Sequence, residues 1–167
     1  MKLLSIDEVN QMTEDVFVRT FGAVFEHSPW VAKRSYPKKP FTDLANLHSV
    51  MCETLQQARR EEQLALIVAH PDLGERLGAL TAASQHEQSS AGLDKLTQEE
   101  LDQFKTSNTA YKAKFGFPFV ICARLNDKHA MLSAFARRLQ NDAHQEFQSA
   151  LAEIEKIAEL RLRAILA

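Results

Sequence analysis

His70 opens the stretch His70-Pro71-Asp72-Leu73-Gly74, where an apolar, helix-like run meets a proline. Proline disfavours the helical conformation in the residue before it, so His70 is expected at or just beyond a helix end. Imidazole titrates near neutral pH and can give or take a proton in turnover. A purely structural role is also open, in which the ring interacts with the last carbonyls of that helix. A second polar cluster is Ser84-Gln85-His86-Glu87-Gln88, followed by Ser89-Ser90-Ala91-Gly92-Leu93. If this stretch is helical, Ser84, Glu87 and Gln88 share a face at spacings of three and four. A hydroxyl, a carboxylate and an amide presented together suit a small planar ligand rich in N–H and C=O groups. A solvated polar helix face is the plainer alternative.

The third candidate is Arg161. It lies seven residues after Ile154 and four after Ile157, on the apolar stripe of the last helix, whereas Arg163 lies off it. An arginine on a buried face needs an anion, either a protein carboxylate or a ligand. Other combinations are weaker. His48 and Cys52 are one helical turn apart, but two ligands do not make a metal site. His86-Glu87 lacks the HExxH spacing, and neither a glycine-rich phosphate loop nor a GxSxG elbow is present. His27, His129 and His144 read as surface or packing residues. No metal ligand set is therefore assigned.

Helices must position these groups. Ser5 and Glu8 form a capping box ahead of Val9, Met12, Val16, Phe17, Phe21 and Val24, and Pro29 marks the end of that segment. Tyr36-Pro37-Lys38-Lys39-Pro40 reads as a loop. Thr42 or Asp43 can cap a helix carrying Leu44, Leu47, Val50, Met51, Leu55 and Ala58, and another runs from about Arg60 to Ala69. Thr97 and Glu100 form a further capping box, with Gly116 as the stop after Phe115. Phe117 to Cys122 is the one stretch that reads as extended and buried. Two more helices follow, one through Met131, Phe135 and Leu139 and one from Phe147 to Ile165, with Asn141 or Asp142 as the cap between them. With five glycines, five prolines and no alternating strand series, the expected fold is all-α: one compact helical bundle of roughly seven or eight helices.

Composition narrows the function classes. A length of 167 residues fits one domain, 1–167, able to bury a core without disulfide or metal support. The formal net charge of −2 offers no basic surface for a nucleic acid. Cys52 and Cys122 lie far apart and form no CxxC pair, as in a reducing compartment. The first residues meet Asp7 and Glu8 too soon for a signal peptide, and no apolar run approaches the roughly 20 residues of a membrane span. A cytoplasmic location is expected, with neither membrane nor nucleic acid as partner.

Taken together, the segments resemble 2-oxo-4-hydroxy-4-carboxy-5-ureidoimidazoline (OHCU) decarboxylase. The likeness is carried by His70-Pro71-Asp72-Leu73-Gly74, Ser84-x-x-Glu87-Gln88 with Ala91-Gly92-Leu93, Asn108-x-x-Tyr111, and Phe115-Gly116-Phe117-Pro118-Phe119-Val120-Ile121. It extends from the N-terminal helix through the Arg161 segment. The resemblance implies an all-helical homodimer without metal or organic cofactor, which converts OHCU to (S)-allantoin and CO2 in urate degradation. It assigns proton transfer to His70, the acidic partner to Glu87 and an essential arginine to Arg161. Substrate contacts map onto Pro71, onto Ser84, Gln85, His86, Glu87 and Gln88, and onto backbone groups of Phe119, Val120, Ile121, Cys122 and Ala123. Two alternatives share these residues: a hydrolase of allantoin-like ureides using His70 and Glu87 to activate water, and a helical module that binds allantoin without turnover.

Overall fold

The computed structural model of the chain describes residues 2–75 and 80–167. Among them are nine α-helices, two short 3-10 turns and no strand, so the all-α expectation holds. The chain divides into two units, one of residues 1–69 with 155–167 and one of residues 70–154.

The first unit begins where the expected N-terminal helix breaks in two. Helix α1 (Ile6–Asn10) carries the Ser5/Glu8 capping box, and α2 (Glu14–Phe21) is capped anew by Thr13, whose hydroxyl accepts from Val16 N at 3.4 Å. The carbonyls exposed at the break are satisfied elsewhere. Lys39 Nζ donates to Met12 O at 2.9 Å and to Asn10 O at 3.3 Å, and Tyr36 Oη donates to Met12 O at 3.1 Å. The Asn10 side chain pairs both ways with the Phe41 backbone at 2.8 Å. Pro29 turns out to introduce a helix as well as to follow one, because α3 (Trp30–Ser35) starts directly after it. The split of the expected first helix into α1 and α2, with the added α3, carries the helix count past seven or eight. Helix α4 (Leu44–Gln56) is capped by Asp43, and α5 (Arg60–Val68) ends at Ala69. Phe17, Phe21, Leu47, Met51, Leu55 and Leu66 are fully buried, each such side chain stabilising by roughly 1.5–3 kcal/mol. Phe17 packs on Phe21 at 4.8 Å and on Phe41 at 5.8 Å between ring centroids.

The second unit holds α6 (Ala82–Ser90), α7 (Gln98–Phe115), α8 (Lys128–Arg138) and the start of α9 (Ala143–Arg163). The Thr97/Glu100 capping box is present, and Gly116 ends α7 in the left-handed conformation at φ +78°. Asp142 caps α9, accepting from Gln145 N at 2.8 Å while Gln145 Oε1 accepts from Asp142 N at 3.0 Å. Residues 117–123 are buried and non-helical up to a 3-10 turn at Ala123–Leu125. Their anchor is aromatic: Phe119 stacks on Phe135 at 3.8 Å and meets Tyr111 edge-on at 5.1 Å.

Candidate active site

His70 is 8% exposed and directly follows Ala69, the cap of α5, at the expected helix end. The loop after it is held at four points by other elements of the second unit. Gln88 uses both ends of its amide, accepting from Gly74 N at 3.0 Å and donating to Asp72 O at 3.2 Å. Asn108 Nδ2 donates to Leu73 O at 3.0 Å, and Lys112 Nζ meets Asp72 Oδ2 at 2.7 Å. Gly74 adopts φ +77°, where a side chain is strained even though a Cβ would make only ordinary contacts with Leu96, Leu101 and Phe104. The loop thus has little freedom to move His70.

Helix α6 realises the shared face. Ser84 and Gln88 are buried and Glu87 is half-buried, while Gln85 and His86 are exposed. Thr81 starts the helix by accepting from Ser84 N at 3.2 Å. The helix packs on the 3-10 turn at Ala123–Leu125. Burial raises the Cys122 thiol above its ordinary range, with the carboxylates of Glu153 and then Glu87 adding to the effect. Glu87 is therefore within electrostatic reach of the extended segment. Loop 70–74, the Ser84–Glu87–Gln88 face and residues 119–123 come together in one unit.

The backbone of residues 119–123 is partly committed. Val120 O accepts from Arg138 Nη1 at 2.7 Å, Cys122 N donates to Glu153 Oε2 at 3.1 Å, and Cys122 O accepts from Asn126 Nδ2 at 2.9 Å. The N–H groups of Val120 and Ile121 make no hydrogen bond to any described residue.

A family model described as OHCU decarboxylase matches residues 10–163. The 2-oxo-4-hydroxy-4-carboxy-5-ureidoimidazoline decarboxylase of Haloferax volcanii is 43% identical over 162 residues, which are 97% of this chain and 96% of that protein. The chain belongs to the OHCU decarboxylase family. Among solved structures, an (S)-allantoin synthase matches with a TM-score of 0.80 at 27% identity, over 98% of this chain and 54% of that one. An OHCU decarboxylase crystallised in the presence of (S)-allantoin matches with a TM-score of 0.70 at 26% identity, over 92% and 97% of the two chains.

Within this OHCU decarboxylase-family chain, Arg161 lies in the first unit. Its guanidinium is buried and does meet a carboxylate, with Nη2 donating to Glu26 Oε2 at 2.8 Å. Nη1 donates to Ala23 O at 3.2 Å and Val24 O at 3.4 Å. One short segment thus supplies three acceptors. It turns sharply just beyond them, where His27 takes the left-handed conformation at φ +48°. Glu26, only 2% exposed, escaped sequence reasoning; its one signal was an acid amid Val24 and Phe25.

His48 and Cys52, also in the first unit, do not form a reactive pair. His48 Nε2 lies 2.8 Å from Glu155 O, which can only accept, so Nε2 carries the proton. Cys52 Sγ lies 3.2 Å from that same nitrogen. Burial, with Glu155 and Glu159 adding, pushes the Cys52 thiol up to about 12, so it is neither thiolate nucleophile nor ready ligand at neutral pH.

Sequence reasoning also missed a buried network in the second unit. Glu146 is fully buried; its Oε1 accepts from Tyr111 Oη at 2.5 Å and Arg138 Nε at 2.7 Å, and its Oε2 from Asn141 Nδ2 at 2.9 Å. The signal was available for Arg138, which continues the stripe of Met131 and Phe135 as Arg161 continues its own.

Proposed function

We propose that this chain decarboxylates OHCU to (S)-allantoin and CO2 in urate breakdown, as a carboxy-lyase. One observation carries the assignment of roles: a buried histidine on an immobilised loop beside a helix face bearing Ser84 and Glu87. Family membership over nearly the whole chain supplies the substrate class.

The reaction asks for what such a site offers. The bond between the ring carbon and its carboxylate breaks, CO2 leaves, and the electron pair passes into the substrate's own ring. A proton must then return to carbon on one face. No pyridoxal- or thiamine-type electron sink is required. The protein orients the carboxylate, stabilises developing charge and directs the proton. His70 transfers protons. Glu87 accepts hydrogen bonds from substrate N–H or O–H groups and orients His70. Arg161 holds an anionic group with its two-pronged donor geometry. Pro71, Ser84 and backbone groups of Phe119 to Ala123 line the pocket of the second unit. Gln88 belongs to it chiefly as the clamp of the His70 loop, and Gln85 and His86, being exposed, line its rim.

The chain acts as one domain over 1–167, as a homodimer, in the cytoplasm. The family model's span across both units supports the first of these, and the family resemblance supports the second. Among the described residues no helix is long and apolar enough to cross a membrane.

The test is to generate OHCU freshly from urate and follow the circular dichroism of allantoin with and without the protein. Rapid growth of the (S) signal with CO2 release is expected. Cleavage of the ureido group without CO2 would favour a hydrolase, and allantoin binding without acceleration would favour a non-catalytic module.

A further inference from the structure

Val120 and Cys122 flank Ile121 and are each tied down by a charged side chain through one backbone group. Arg138 Nη1 holds Val120 O at 2.7 Å, and Glu153 Oε2 holds Cys122 N–H at 3.1 Å. Among the described residues the one cis peptide is Lys39-Pro40, so both peptides around Ile121 are trans. In a planar trans peptide the C=O and the N–H point in opposite directions. Locking Val120 O onto Arg138 therefore aims the Ile121 N–H away from Arg138. Locking Cys122 N–H onto Glu153 likewise aims the Ile121 C=O away from Glu153. Two side chains thus set the directions of one residue's donor and acceptor without touching either.

The first lock is stiff. Arg138 is 5% exposed, its Cζ lies 4.3 Å from the Phe119 ring centroid, and its Nε is held by the fully buried Glu146. Glu146 is in turn fixed by Tyr111 and Asn141. Burial, and then the hydrogen bond to Glu146, hold the Tyr111 phenol above its ordinary range, so it stays a neutral donor. The second lock is lighter, since Glu153 is half-buried.

We propose that Arg138 and Glu153 are positioning residues that preset the Ile121 N–H and C=O to read an adjacent C=O/N–H edge of the substrate, as found in a cyclic amide or ureide. This rests on the OHCU decarboxylase reading of the site. It adds that recognition of that edge depends on two charged side chains placed behind the strand-like segment.

The experiment uses the full chain with allantoin as the binding probe. In Glu153→Ala, KM for OHCU and Kd for allantoin should rise together by about five- to tenfold, the loss of one oriented hydrogen bond, with kcat falling less. Glu153→Gln keeps an oxygen that accepts from Cys122 N–H, so it should restore both constants to within about twofold of wild type. A merely structural Glu153 would shift the melting temperature and leave the KM-to-kcat split unchanged. Wild-type KM and allantoin affinity in folded Glu153→Ala would overturn the proposal. Should Glu153→Ala fail to fold, the wild-type Ile121 amide resonance decides: a shift on allantoin titration is expected, and none at saturation contradicts the lock. Allantoin shifting Ile121 in a protein inactive on OHCU would instead contradict the decarboxylase reading alone.

Discussion

Loop 70–74 and segment 119–123 are both irregular, both buried at their key residue, and supported in opposite ways. The loop is held by neutral amides, Gln88 and Asn108, with one partly exposed ion pair between Lys112 and Asp72. The segment is held by charges, of which Arg138 and Glu146 are almost completely buried. A neutral hydrogen bond contributes about 1 kcal/mol net and can re-form after a small shift. Removing one member of a buried ion pair leaves the other unpaired and costs about 3–5 kcal/mol. The difference assigns stiffness by task. The segment proposed to read the substrate rests chiefly on a buried ion pair, while the loop carrying the proposed proton-transfer histidine rests on several neutral supports that can yield one at a time.

The strongest way to break this contrast is Arg138→Leu. It strands the Glu146 carboxylate and should lower the melting temperature by roughly 10 °C or more, if the protein folds at all. A shift no larger than that of Gln88→Ala would show that the two supports do not differ. Glu87→Gln probes chemistry instead of support. It should cut kcat by about a hundredfold or more with little change in melting temperature, as expected for a carboxylate needed in the transition state. Arg161→Lys keeps the charge but not the fork, and should lose at least roughly tenfold in kcat/KM. If Arg161 serves only Glu26, the melting temperature should fall and turnover per folded molecule should not.

Gln88→Ala comes next, because it releases Gly74 N and Asp72 O together. A loss of about 1–2 kcal/mol and a several-fold lower kcat are expected, with faster hydrogen exchange at the Gly74 amide and none of that change at Cys122. Equal acceleration at both amides would mean that the two segments open as one. The smallest effect belongs to Lys112→Ala. Its partly exposed pair should contribute less than about 1 kcal/mol, visible as a melting shift of a few degrees at most.

How far the sequence foretold this depended on range. Caps and stops are local, so Ser5/Glu8, Thr97/Glu100 and Gly116 stood out, and so did the proline-defined position of His70. The break at Met12-Thr13 was hidden because the apolar spacing continues across it, and the groups that stabilise it, Tyr36 and Lys39, lie far along the chain. The shared face of Ser84, Glu87 and Gln88 followed from helical periodicity alone. That the Gln88 amide would be used on the loop backbone did not, because periodicity gives a face and not a partner. The buried acids Glu26 and Glu146 were illegible for the same reason, as the partners that accommodate them, an arginine in each case among them, are brought to them by folding.

His70 is proposed to deliver the proton on one face as CO2 leaves. Wild-type protein and His70→Asn should be compared on freshly generated OHCU, with CO2 release and the circular dichroism of the allantoin recorded on the same samples and folding checked by melting. The account predicts fast CO2 release and (S)-allantoin from wild type, and from a normally melting His70→Asn only the spontaneous rate and racemic product. Near-wild-type release of CO2 with (S)-allantoin from folded His70→Asn would remove His70 from the mechanism and contradict the account.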